Sequence, residues 1–297
     1  MCRNWTLIMT EIRKKNETQK PDWLKVKVRL DGHYLVVQSL LKKHNLHTVC
    51  QEANCPNRGE CFSSGTATFL IMGPNCTRRC RFCNVAGGAV GQLDREEPQR
   101  VAKTVKIMKL KHAVVTSVTR DDLPDGGAGH FAEVIRAIRA RCPGTTIEVL
   151  TPDFKGALPA LNAVFAERPE VFNHNLETVK RLYPEVRPQA FYDRSLAVLA
   201  AARAYGDIVV KSGLMVGLGE TVEELADAFD DLAHAGVESL TIGQYLAPSK
   251  NHHPVVKYYH PDEFSSLAVV ATKAGIRQVF AGPLVRSSYH AGEQFRA

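Results

Sequence analysis

Along this chain the hydrophobic positions change their period again and again. Short runs in which apolar and β-branched residues crowd together alternate with longer stretches where apolar residues return every three or four positions. The crowded runs are TATFLIMG at 66–73, HAVVTSV at 112–118, TTIEVLTP at 145–152, EVFNHNLE at 170–177, VVKSGLMVGL at 209–218 and ESLTIGQYL at 238–246. They predict six strands. FAEVIRAIRARC at 131–142 and TVEELADAFDDLAHAG at 221–236 carry the helical period, and the second opens at Thr221 and closes at Gly236. Repeated strand-then-helix units imply a parallel sheet. No GxGxxG follows the first strand, so a closed or partly closed barrel fits better than a dinucleotide-binding sheet.

In such barrels reactive groups gather at the C-terminal ends of the strands. Several strands here run into polar stretches: CTRRCRFC at 76–83, TSVTRDD at 116–122, NHNLE at 173–177, GLGE at 217–220 and QYLAPS at 244–249. Ahead of the barrel lies a charged, mixed segment, with KPDWLKVKV at 20–28 and the helical-looking YLVVQSLLKKHNLHTV at 34–49. It reads as an N-terminal extension.

Composition bounds the picture without deciding it. The chain has 297 residues, 44% of them hydrophobic and 23% charged, as expected of a globular protein with a large core. WTLIM at 5–9 and HYLVVQSLL at 33–41 are too short and too closely flanked by charge to span a membrane. The first also lacks the length and cleavage site of a signal peptide, so a cytoplasmic location is expected, with no membrane partner. A net charge of +7 and a pI near 9.0 permit an acidic protein partner or nucleic acid. The lysines and arginines are spread along the chain, aromatics are only 7%, and nucleic acid is therefore not expected.

Cysteine usage changes the picture more. In a reducing compartment eight cysteines are not a disulfide framework, and six of them fall between residues 50 and 83. Cys2 and Cys142 stand apart and read as ordinary small apolar residues. Cys76, Cys80 and Cys83 follow C-x3-C-x2-C with no fourth cysteine or histidine close behind. A structural zinc site wants four ligands in a closed shell, whereas three thiolates around an iron–sulfur cluster leave one iron open. Arg78, Arg79 and Arg81 are expected to hold these thiols ionised, since nearby positive charge lowers a cysteine pKa. The alternative is a zinc knuckle that borrows a distant fourth ligand. Cys50, Cys55 and Cys61 form a second trio, C-x4-C-x5-C, which is no zinc-ribbon spacing and suggests a second cluster.

CTRRCRFC, with an aromatic before its last cysteine, resembles the signature of the radical S-adenosylmethionine enzymes. CQEANCPNRGECF at 50–62, TSVTRDDLPDGGA at 116–128, PEVFNHNLE, KSGLMVGLGE, GQYLAPS and RSSYHA at 286–291, taken together, resemble the lipoyl synthase family from about residue 20 to the end. The resemblance implies an α/β fold, a partial (β/α)6 TIM-like barrel of the radical S-adenosylmethionine type with N- and C-terminal extensions. It divides the chain into an extension at 1–65 carrying the second trio, the barrel at 66–282 and a C-terminal segment at 283–297.

It implies two 4Fe–4S clusters and S-adenosylmethionine as cofactors. Cys76, Cys80 and Cys83 would hold the cluster whose open iron takes S-adenosylmethionine. Cys50, Cys55 and Cys61 with Ser288 would hold the auxiliary cluster, which serves as sulfur donor, and Arg286 would govern its opening. The reaction implied is insertion of two sulfur atoms at C6 and C8 of an octanoyl chain on a lysine of a lipoyl carrier domain. Such domains occur in 2-oxoacid dehydrogenase E2 subunits and the glycine cleavage H protein. A low-potential electron donor and an iron–sulfur cluster carrier are implied as further partners.

NHNLE also resembles the matching strand end of biotin synthase, which puts Asn175 and Glu177 at ribose hydroxyls; Glu177 opening the next helix is the plainer reading. Thr116 and Ser117 stand where related enzymes receive the methionine amino group, although the usual GGE is absent. GLGE is either a close approach to adenine or a turn before a helix. Asp121 and Asp122 either orient Arg120 or the cofactor or belong to a solvated turn. His174 reads as a satisfied core histidine, and His252 and His253 as loop surface. Two other function classes share these features. One is a different radical enzyme that inserts sulfur, which would lack RSSYHA. The other is a zinc-bearing nucleic-acid-binding protein, which would show paired ligand spacings.

Overall fold

The structure, a computed structural model, describes residues 20–26 and 31–295. The rest of the N-terminal extension, with Cys2 and the run at 5–9, and residues 296–297 lie outside the described residues. One sheet organises the chain: β1 (His47–Thr48), β2 (Thr68–Ile71), β3 (His112–Ser117), β4 (Thr146–Leu150), β5 (Val171–Asn173), β6 (Val209–Val216), β7 (Ser239–Gln244) and β8 (Gln278–Gly282). The strands lie in chain order. From β2 to β8 every pairing is parallel, and β1 runs antiparallel to β2. Since β1 and β8 are the two edges, the sheet is not closed, as in a partial barrel.

All six strands expected from the hydrophobic pattern are present. The expectation of six fell short by one parallel strand, β8, and by the short antiparallel edge β1. β8 is half-buried at all five positions, and its apolar run is only the three residues Val279–Ala281, too short to announce a strand by itself.

The helices are α1 (Gly32–Lys43), α2 (Val49–Glu52), α3 (Arg58–Ser63), α4 (Glu97–Ile107), α5 (Ala128–Arg141), α6 (Leu158–Phe165), α7 (Tyr183–Val186), α8 (Tyr192–Tyr205), α9 (Val222–His234), α10 (Pro261–Lys273) and α11 (Ala291–Gln294). α9 begins where the sequence places it: the Thr221 hydroxyl accepts the Glu224 N–H, and the Glu224 carboxylate accepts the Thr221 N–H. Its Leu225, Phe229 and Leu232 form the stripe that packs inward. Phe69, Ile71, Val115, Ile147, Val149, Phe172 and Val210 bring the strands into the same core as Phe131, Val134, Ile135 and Ile138 of α5.

Not all of the interior is apolar. Glu148 of β4 is fully buried and accepts hydrogen bonds from Lys211 of β6 at 3.0 and 3.2 Å, and from Asn173 of β5 at 3.2 Å. His112 of β3 approaches it at 3.4 Å. Burial raises the Glu148 carboxyl, but Lys211 and His112 outweigh it and leave it below its ordinary range.

The segment after β8 reaches back to α3 and to β3. Asn57, just before α3, donates to the Leu284 carbonyl at 2.7 Å, and Tyr289 donates to Glu60 of α3 at 3.0 Å. Further on, Phe295 stacks on the His112 ring with centroids 5.7 Å apart. The segment thus spans from the α3 side of the site to the buried ions of the sheet.

Candidate active site

The loop that follows β2 is pinned from several sides. The Cys76 sulfur accepts the backbone N–H of Arg78 at 3.4 Å and of Thr119 at 3.2 Å, while Thr77 donates through both its N–H and its hydroxyl to the Thr119 carbonyl. Arg81 N–H donates to Val186 O at 2.9 Å, and Gln189 accepts the Arg79 N–H at 2.7 Å. His252 donates from Nε2 to Cys83 O at 3.1 Å, and the His253 N–H donates to Arg81 O at 2.8 Å. The two histidines expected at the surface therefore wall the cysteine loop. His253 is buried, its ring bonds Leu218 O at 2.8 Å and its carbonyl accepts the Tyr245 hydroxyl.

The expected role of the flanking arginines needs correction. Arg78 turns away into a buried ion cluster, with Nε and Nη2 on Asp121 at 2.7 and 3.0 Å and Nη1 and Nη2 on Asp153 at 3.1 and 2.6 Å. Burial alone would raise the Asp153 carboxyl, but the Arg78 hydrogen bonds and charge hold it at about 2. Arg81 is half-exposed and faces Glu185. Burial dominates at the thiols: it pushes Cys83 up to about 12 and raises Cys80 despite the positive charges of Arg187 and Arg78. In the second trio burial pushes Cys50 up to about 11 and Cys61 to about 12, and Cys55 beside them adds to both. Without metal these four thiols stay protonated at neutral pH, so the ion that binds them must displace their protons.

The thiols nevertheless fit an iron–sulfur group. Within each trio the neighbours raise one another, Cys76 and Cys80 acting on Cys83, Cys50 and Cys55 on Cys61. Like groups crowded into apolar surroundings are what a cationic cluster would relieve. Among the described residues no three Cys, His, Asp or Glu side chains meet closely enough for a single ion. A four-iron cluster asks for something else, because each thiolate takes a different iron at its own corner.

Both trios open on one cavity of about 720 Å³, which Thr116, Ser117, Asn175, Glu177, Arg286 and Ser288 also line. The expected cluster ligands and Arg286 are thereby brought to one place with Thr116, Ser117, Asn175 and Glu177, whereas Asp121, Asp122 and the GLGE stretch lie outside that lining. Over residues 70–232 the chain matches the Radical SAM superfamily, and over residues 7–55 the N-terminal domain of lipoyl synthase. It is 54% identical to the lipoyl synthase of Geobacillus thermodenitrificans over 283 residues, and 52% identical to that of Bacillus subtilis over 284. In both cases 95% of each chain is covered.

The chain belongs to the lipoyl synthase family. It is a radical S-adenosylmethionine enzyme that inserts sulfur to form the lipoyl group, with a 4Fe–4S cluster and S-adenosylmethionine as its family's cofactors and lipoyl carrier proteins as its substrates. Solved structures agree on the fold. The FeFe-hydrogenase maturase HydG from Carboxydothermus hydrogenoformans matches with a TM-score of 0.56 at 14% identity, covering 99% of this chain and 79% of that one. Methylornithine synthase (PylB) matches with a TM-score of 0.52 at 15% identity, covering 85% and 82%. Among the described residues no helix is long and apolar enough to cross a membrane.

In this member of the lipoyl synthase family, Thr116 donates to Leu150 O at 2.9 Å, and the neighbouring Ser117 hydroxyl is buried without a partner among the described residues. Asn175 donates to Glu177 at 3.0 Å. Glu177 opens no helix: it has a left-handed φ of 70° and forms a bridge to Leu214 of β6. Burial raises its carboxyl, opposed by Arg187, Asn175 and Arg286. Arg286 is half-buried, and desolvation lowers its guanidinium while Cys55 and Glu177 oppose that. His174 is the satisfied core histidine expected, bonded to Thr151 O at 2.8 Å and facing Ser195 at 3.1 Å, with burial holding it at about 4.

Asp122 orients Arg120, with contacts of 2.9 and 2.8 Å, while Asp121 belongs to Arg78. The GLGE stretch is a turn closed by its own Glu220, whose carboxylate accepts the Gly217 and Leu218 N–H groups at 2.6 and 2.9 Å. Arg187 was missed by sequence reasoning. It is buried and donates to the carbonyls of Asn175 and Leu176, its charge acts on Cys80 and Glu177, and nothing in its local sequence marks it.

Proposed function

We propose that Cys76, Cys80 and Cys83 hold the 4Fe–4S cluster that receives S-adenosylmethionine, and that Cys50, Cys55, Cys61 and Ser288 hold a second 4Fe–4S cluster that is the sulfur source. The barrel at 66–282 carries the first, and the segments at 1–65 and 283–297 supply the second. The observation that carries this reading is that both trios line a single cavity together with Ser288, Asn175 and Glu177. A hydrogen-abstracting radical is useful only if the sulfur source lies within reach of the carbon it creates.

When bound, the first cluster and S-adenosylmethionine supply the radical that removes hydrogen from C6 and C8 of the octanoyl chain. The protein's own groups orient the reactants and exclude water. Asn175 and Glu177 would offer an amide and a carboxylate to the ribose hydroxyls. The Ser117 hydroxyl, without a partner among the described residues, and the Thr116 oxygen would receive the methionine amino group. Arg286, which lines the same cavity and whose charge acts on both Cys55 and Glu177, would hold the auxiliary cluster's surroundings positive. The apolar side chains lining the cavity suit an octanoyl chain delivered on a carrier lysine, from E2 subunits of 2-oxoacid dehydrogenases or the glycine cleavage H protein. A low-potential electron donor and a cluster carrier complete the cycle.

Iron and acid-labile sulfide per chain, measured on protein reconstituted without oxygen, test this. About eight irons are expected in the natural chain and about four in a Cys50→Ala, Cys55→Ala, Cys61→Ala variant. Zinc in place of iron would sink the reading.

A further inference from the structure

We infer that Ser287 is a positioning residue that competes with the ribose of S-adenosylmethionine for the Asn175 carboxamide, so that nucleoside binding loosens the segment carrying Ser288. The inference rests on the reading of Asn175 and Glu177 proposed above. The Ser287 oxygen lies 2.7 Å from Asn175 Nδ2 and 2.9 Å from Oδ1. It sits astride the polar edge of the amide, while Nδ2 also donates to Glu177 at 3.0 Å. A hydroxyl that donates and accepts at that edge is chemically what a ribose hydroxyl would be. Both cannot occupy it.

The close approach is built into the sheet. Gly213 of β6 lies under this pair, and a Cβ there would stand 2.8 Å from Asn175 Oδ1 and 3.0 Å from the Ser287 oxygen. The segment is fastened elsewhere too, by Asn57 on Leu284 O and by Tyr289 on Glu60. Breaking the Ser287 contact therefore frees only the residues between those ties, and Ser288 is among them. By linkage, whatever moves Ser287 off Asn175 must tighten nucleoside binding by the same factor. The nucleoside site and the serine that shares the cavity with Cys50, Cys55 and Cys61 are coupled through one hydrogen-bonded pair.

Hydrogen–deuterium exchange of the anaerobically reconstituted holoenzyme, with S-adenosylhomocysteine as the probe, tests the coupling. In the natural chain the probe should protect residues 171–179 and raise exchange at 284–290. Ser287→Ala should bind the probe about two- to tenfold more tightly, the fold-change of one net hydrogen bond, and Ser287→Thr should restore the natural affinity. A merely structural Ser287 would leave binding weaker or unchanged when truncated, which overturns the inference. Protection at 171–179 with unchanged exchange at 284–290 in the natural chain also overturns it and leaves the nucleoside site standing. No protection at 171–179 overturns both.

Discussion

At the scale of single residues, the site is governed by burial more than by neighbouring charge. Arg78 sits inside the C-x3-C-x2-C motif, yet its guanidinium serves Asp121 and Asp153 and has little left for the thiols. That pairing makes a prediction about pH. The Asp153 carboxyl is held at about 2, against roughly 3.9 in an unfolded chain, so it contributes stability above the higher value. The contribution is lost as pH falls through the lower one. Asp153→Asn should lower the unfolding free energy of the metal-free chain by about 2 to 3 kcal/mol near neutral pH. The gap to the natural chain should close between about pH 4 and pH 2, as guanidinium unfolding at stepped pH would record. A gap independent of pH would mean that Asp153 acts through packing alone. None of this was legible locally, because Asp153 lies 75 residues from Arg78 in the chain.

At the scale of elements, what could be read from the sequence was what local chemistry decides. The box at the start of α9 is formed by residues three apart, so Thr221 and Glu224 announce it in the sequence. Thr221→Ala should cost about 0.5 to 2 kcal/mol of stability, visible as a lower thermal midpoint with sulfur insertion unchanged, since the box lies outside the cavity. The GLGE turn was ambiguous for the opposite reason. Gly217 has φ of 102°, and a Cβ there would collide with the Gln244 side chain and the Lys257 carbonyl. Those partners arrive from later elements, so only the assembled sheet shows that the glycine serves packing. β8 escaped notice because its apolar run is only Val279–Ala281, shorter than a run that marks a strand by itself. His252 and His253 looked like loop surface because the Cys83, Arg81 and Leu218 backbone groups that engage them come from other strand ends.

At the scale of the whole molecule, the net charge of +7 has a use if the carrier domain that presents the octanoyl chain is acidic. Raising ionic strength from about 0.05 to 0.5 M should then weaken apparent affinity for the carrier, because screening shortens the reach of that field. Titration of an octanoylated carrier at both salt levels would show it, and an unchanged affinity would mean that contact surfaces alone hold the partner. The sequence by itself determined the strand-and-helix alternation, the two cysteine trios and the family, because periodicity, caps and ligand spacing are properties of neighbouring residues. Only the tertiary structure decided that Arg78 belongs to Asp121 and Asp153, that the buried charge of Arg187 acts on Cys80 and Glu177, and that Ser287 meets Asn175. Those contacts join strand ends and loops far apart in the chain. Their partners are chosen when the sheet assembles and water is excluded, which is when a buried charge or amide must find whatever group the fold has brought beside it.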